Sequence, residues 1–255
     1  MKTKTDLDQI IKQGYSLDFG KTFDEIFDYF KKTFLLNGLV LLIVTLGIGI
    51  AVFFGLGIGS LLENFSDPTA VEALVGNTTF LIYYALFAIF LGVFLAPLNA
   101  GFIQLNRDID THNEVSISNI FKHYQSKHFL QIVGFTVIIQ IISTVLGLVP
   151  FIGNILSIIV SWFTILGIPL IIFGNLNAID ALQYSVKLVS KNPWNILLIF
   201  IVASLISFLG ILAICIGIFF TLPIVFSTAY VLYKNIVGFV EDDIIFDIEK
   251  DIENL

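Results

Sequence analysis

Four stretches of this chain contain no Asp, Glu, Lys or Arg: residues 33–62, 79–106, 129–179 and 192–233. A helix needs about 20 apolar residues to cross the hydrocarbon core of a bilayer, where water cannot satisfy the backbone. The first two blocks therefore hold one helix each, while the third and fourth are too long for one and must fold back. In the third, LVPFIGN (148–154) supplies a Pro/Gly/Asn turn. In the fourth, the fold-back falls within LGILAICIGIFFTLP, around Cys215 to Gly217. Six spans result, at about 34–62, 79–105, 129–149, 154–176, 193–214 and 217–238. The expected fold class is all-α and polytopic: a membrane domain over 34–238 between a lead of residues 1–33 and an acidic tail of 239–255.

Basic residues test the count. Lys2, Lys4, Lys12, Lys21, Lys31 and Lys32 precede the first span, and Arg107, Lys122 and Lys127 fall in the second loop. Lys187 and Lys191 fall in the fourth loop, and the C-terminal end holds Lys234 and Lys250. Those are all 13 Lys and Arg of the chain, and residues 63–78 and the two tight turns hold none. A wrong number of spans would scatter them over both sides. The positive-inside rule then puts both termini in the cytoplasm, with the inner (cytoplasmic) membrane as the expected location. The net charge of −7 does not oppose this, because acids contribute little to the rule. With 57% hydrophobic and 13% charged residues, the chain is far from a soluble domain at about 25% charged, and a nucleic-acid partner is excluded. The charged first 32 residues hold no cleavable signal peptide, so the first span is the expected targeting signal.

The odd-numbered spans are entered through similar segments: IFDYFKKTF (26–34), FKHYQSKHF (121–129) and VKLVSKNPW (186–194). Apolar residues three apart, followed by Lys near the span, describe short amphipathic helices at the cytoplasmic interface. The chain then reads as three hairpins, each with its own lead. Equally, any chain entering a membrane from the cytoplasm tends to carry Lys and aromatics there.

Apart from Lys234, near the end of the sixth span, no ionised side chain lies inside a proposed span, which argues against proton coupling, pumping and voltage sensing. The polar residues left are Asn37, Asn99, Gln104, Gln131, Gln140 and Asn175, with scattered Ser and Thr. Gln140, near the middle of its span, is expected to bond between helices. Gly55 and Gly59 form a GxxxG face for close helix packing. Pro97, Pro169 and Pro223 each free a backbone carbonyl, and with Asn99 they are candidates to line a central crevice.

The loops offer little catalytic chemistry. Asp108, Asp110, His112 and Glu114 alternate in the second loop, which is either a metal site or a polar turn before a helix capped at Ser116 or Ser118. The polar turn is the expectation, and no metal, cofactor or catalytic residue is assigned. Cys215 sits in an apolar run and reads as a small buried hydrophobe. G-x-S-x-G, P-loop and H-E-x-x-H patterns do not occur. In the tail, Ile245, Ile248, Ile252 and Leu255 stripe an acidic helix that anionic lipid would repel. It is expected either to dock on a protein, in which case removing residues 241–255 must weaken a complex, or to be solvated.

The stretches NAIDALQYSVKLVSKNPWNIL (177–197), ILAICIGIFFTLP (211–223), AYVLYKNIVG (229–238), APLNAGFIQLNRDID (96–110) and ISNIFKHY (117–124) carry a resemblance. Together they resemble a broad group of bacterial integral membrane proteins of uncharacterised function, similar in pattern to the membrane domain attached to some glycerophosphodiester phosphodiesterases. Ala181, Leu182 and Ser185, and the turn marked by Cys215, Gly217 and Pro223, match best. The phosphodiesterase activity itself needs a soluble barrel with a His-Arg-Gly motif, which this chain lacks. Some similar proteins carry an automatic label of beta-carotene monooxygenase. That chemistry takes four His ligands on iron, and this chain has three His. The expected role is therefore a non-catalytic membrane component that contacts lipid or a protein partner. Facilitated movement of a lipidic or apolar substrate is the alternative. An enzyme would require Asp108, His112, Asp180 or Lys187 to converge at the cytoplasmic face.

Overall fold

The computed structural model describes residues 2–56, 78–111, 115–149, 151–212 and 216–239. Gly59, His112, Glu114, Cys215 and the acidic tail from residue 240 onward lie outside the described residues. The regular elements described are all helical. They are α1 (Lys4–Gln13), α2 (Phe19–Leu56), α3 (Thr78–Asp110), α4 (Ile117–Phe121), α5 (Phe129–Gly147), α6 (Ile152–Phe163), α7 (Gly167–Ile172), α8 (Ala178–Val189), α9 (Pro193–Leu209), α10 (Gly217–Thr221) and α11 (Ile224–Ile236). Short 3-10 turns follow α4 at Lys122–Tyr124 and α9 at Gly210–Leu212.

Six helical segments are long and apolar enough to cross a membrane: Phe19–Val52, Ile82–Asp110, Phe129–Gly147, Ile152–Ile172, Pro193–Leu212 and Gly217–Ile236. This is an all-α polytopic membrane protein with six spans. The turn expected in 148–154 ends before Ile152, where α6 begins and takes in Gly153 and Asn154, and Phe151 takes a positive φ of 63°.

Two spans are helical in two pieces, each broken near a proline. Pro169 has no N–H to offer the Ile165 carbonyl, and the fourth span breaks between α6 and α7. Ser185 of α8 mends that break: its hydroxyl accepts from Leu166 N at 3.2 Å and donates to Phe163 O at 2.8 Å. The sixth span breaks between α10 and α11 at Leu222 and Pro223. Thr221 there donates its hydroxyl to Ser207 O at 2.7 Å. Pro97, by contrast, lies inside an unbroken α3.

The leads differ from one another. The first is no separate interfacial helix, because nothing breaks the helix between Phe19 and Leu56 and α2 runs from lead into span. Its Ile26, Tyr29 and Phe30 are buried in protein. The second comprises α4 and its 3-10 turn. The third is α8, capped by Asn177, whose side chain accepts from Asp180 N at 2.8 Å. α1 has a capping box, Thr3 with Asp6, and docks on α8. Tyr15 donates to Leu188 O at 2.7 Å, Tyr184 to Asp8 at 3.1 Å, and Lys4 pairs with Asp180 at 2.5 Å.

The sixth span is the centre of the bundle. Its most apolar window is 56% buried, against 11% for the third span, and α11 packs on α2, α3, α7 and α9. Burial concentrates at the end that carries the basic residues: Ile26 to Val40, Ala96 to Asp108, Leu166 to Ile172 and Ile224 to Val237. At the far end the large side chains face outward, among them Ile43, Leu46, Phe90, Val145, Ile155, Leu205 and Phe208.

Candidate functional site

At the basic end, α2 and α11 converge on Asp110, the last residue of α3. Tyr230 donates to its Oδ2 at 2.6 Å, Lys234 Nζ lies 2.9 Å from its Oδ1, and Tyr29 donates to it as well. Lys234 also reaches Tyr29 Oη at 2.9 Å and Glu25 at 3.1 Å, and Arg107 stands 3.5 Å from Asp110. The guanidinium of Arg107 lies 3.7 Å from the centroid of the Phe239 ring. Phe239 in turn packs with Phe173, Tyr230 and Tyr233. Two acids face two bases, and the carboxylate of Asp110 has every oxygen engaged. Such a compensated network fixes one arrangement of helices and leaves no group free to react.

Between α2 and α3 lies a cavity of a different kind, an apolar groove of about 520 Å³. Val44, Gly47, Ile48 and Ala51 of α2 form one wall, Phe94 and Leu98 of α3 another, and Phe121, Tyr124 and Gln125 the third. Helical spacing explains the first wall. Ile26, Tyr29, Thr33, Asn37 and Val40 form a stripe buried at the basic end, and Val44, Gly47, Ile48 and Ala51 continue it into the groove. Gly47 is the open point of this wall, since a Cβ there meets nothing within 4 Å.

The third wall depends on a close approach of backbones. The Ile120 carbonyl sits 1.8 Å from where a Cβ on Gly101 would stand, so only glycine lets α4 lie on α3. Tyr124 then reaches across and donates to Phe94 O at 2.7 Å, and its ring packs beside Phe94 and Phe121. Phe94 is about 24 Å along α3 from Asp110. The groove therefore lies within the span, near its middle. Its volume matches that of ligand sites, and its polar atoms are the Tyr124 hydroxyl, already bonded, and the Gln125 amide. It can hold an apolar chain, and its walls hold no nucleophile or general base.

His123 takes the opposite side of the same 3-10 turn. It is buried, with Nδ1 3.3 Å from Ser126 Oγ and Nε2 without a partner. Burial, with the neighbouring charges of His128 and Lys122, pushes its pKa down to about 4. The imidazole is therefore neutral at physiological pH.

The other residues singled out in the sequence are placed as follows. Pro97, Pro169 and Pro223 are buried, Asn99 is half-buried, and none of the four lines the groove. Gln140 seats its amide against Gly92 of α3, in the space a Cβ would fill. Gly55 is in the last turn of α2, and its partner in the motif is outside the described residues. Gln131 accepts from Ala178 N at 2.9 Å, and Asn37 is fully buried with its amide unpaired. Asp108 is held by Gln104 at 2.9 Å and Asn119 at 3.2 Å, Asp180 by Lys4, and Lys187 lies over the Tyr184 ring. Asp180 and Lys187 thus share the Tyr184 face of α8, while Asp108 stands in a separate setting. Among the described residues, no three His, Cys, Asp or Glu group as metal ligands. The groove and the Asp110 network both escaped sequence reasoning. The crowded glycines of the first span and Tyr124 in the repeated lead were the available signals for the groove. No protein family, curated protein or solved structure matches this chain.

Proposed function

We propose that this chain is a non-catalytic, multi-pass component of a bacterial inner membrane that holds a membrane lipid by one acyl chain. The groove between α2, α3 and the α4 segment carries this assignment, because it is apolar, lies within the spans and is of ligand size. Both termini are assigned to the cytoplasm, supported by the confinement of the basic residues to one end. The compensated network around Asp110 is assigned the task of holding α2, α3 and α11 together above the groove.

Photolabelling tests this. Full-length protein in phosphatidylcholine vesicles containing a photoactivatable acyl chain is expected to label chiefly at Val44 to Ala51, Phe94 to Leu98 and Phe121 to Gln125. Gly47→Phe projects into the groove from a point where a Cβ meets nothing within 4 Å, and is expected to lower that labelling at least about five-fold. Labelling spread evenly over outward residues such as Ile43, Leu130 and Leu205 would remove the assignment.

A further inference from the structure

We infer that the groove selects an anionic phospholipid, its phosphate held by Lys122 and Lys127 while one acyl chain runs past Tyr124 to Gly47. This rests on the groove assignment above and adds the headgroup to it. In a 3-10 turn, side chains three residues apart eclipse one another. The Lys122–Tyr124 turn therefore presents three faces. Phe121 and Tyr124 point into the groove, and His123 and Ser126 point into the protein. Lys122 shares the remaining face with Gln125, which is itself a groove residue. Lys122, Gln125 and Lys127 are all exposed.

Charge and depth agree with this occupant. Among the described residues neither lysine has an ion pair, whereas Lys4, Lys31, Arg107 and Lys234 are all paired. Asp108, the carboxylate that Asn119 of this segment contacts, is buried and already taken by Gln104 and Asn119. His123 and His128 are both shifted toward the neutral form by burial, so the positive charge of the segment rests on the two lysines. Gln140 marks the level of Gly92, which puts Phe129 about 16 Å nearer the basic end. Lys127, two residues before Phe129, thus stands where α5 enters the membrane, at headgroup level, and Lys122 stands in the 3-10 turn that walls the groove. A cationic mouth over an apolar slot complements a phospholipid with a net negative head.

The test measures retention of phosphatidylglycerol and phosphatidylcholine with identical chains on the purified full-length protein by native mass spectrometry, beside the photolabelling readout. Each lysine near an anionic head contributes about five-fold. Wild-type protein is expected to retain phosphatidylglycerol roughly 25-fold better, and Lys122→Gln with Lys127→Gln to remove that preference while groove labelling by phosphatidylcholine persists. Gly47→Phe is expected to lower retention of both lipids. Equal retention by the wild type, with labelling still centred on the groove, overturns the headgroup inference alone. Labelling that Gly47→Phe leaves unchanged overturns the groove assignment and this inference with it.

Discussion

The two ends of the bundle are built on different principles. At the basic end, polar side chains meet inside the protein: Asp110 binds Tyr29, Tyr230 and Lys234, and Asn106 accepts from Ser227 at 2.9 Å. Helices there approach until backbone touches backbone, as at Gly101 and Ile120. At the far end Ile43, Phe90, Val145 and Leu205 point outward, where lipid is the only apolar solvent. Apolar side chains gain little by leaving lipid for each other, so association within a membrane depends on packing and hydrogen bonds. The basic end has both. It specifies the fold, while the far end supplies length and lipid contact, and the groove occupies the seam between them.

The comparison can be broken most directly at Asp110. Asp110→Ala leaves Lys234 and Arg107 without their shared acid and is expected to cost about 3–4 kcal/mol. Leu205→Ala at the far end should cost under about 1 kcal/mol, because lipid fills the space. Equal losses in thermal unfolding of the two variants would erase the distinction between the ends. A smaller effect is expected from a single methyl group. Gly101→Ala drives a Cβ into the Ile120 carbonyl and should cost about 2–3 kcal/mol, whereas Gly47→Ala, with open space before it, should be near neutral. Similar melting temperatures for both would show that α4 yields readily and does not wall the groove.

The smallest effect concerns pH at the seam. The pKa of His123 is about 4 in the folded chain, below the ordinary 6.5, so the unfolded chain binds more protons between those values. Stability is then complete above pH 6.5 and falls as the pH drops through that window, by about 2 kcal/mol from pH 7 to pH 5. His123→Gln should flatten this part of the profile. An unchanged acid loss in that variant would trace it to another group.

Much of this was legible in the chain. Charge-free blocks anticipated the six helices long and apolar enough to span, and LVPFIGN marked the end of α5. The helix of the first span begins earlier, in the charged lead at Phe19, because charge in a lead does not stop a helix. The prolines were conspicuous, but proline alone does not tell a break from a continuous helix. Pro97 leaves α3 whole, while the break near Pro169 is mended by Ser185 from another helix. Neither serine nor its distance in sequence announces that. Tyr29, Asp110, Tyr230 and Lys234 are likewise ordinary residues scattered over three spans, and no spacing rule joins them.

By itself, the sequence determined the solvent of this protein, its number of spans and the concentration of its basic residues at one end. These follow from transfer energies that each residue pays locally, charge by charge and segment by segment. Only the tertiary structure decided which spans are central, which carboxylate gathers the network and where a groove opens. Those depend on contacts between distant segments, and in lipid such contacts are set by close packing and hydrogen-bond geometry that hydropathy does not record.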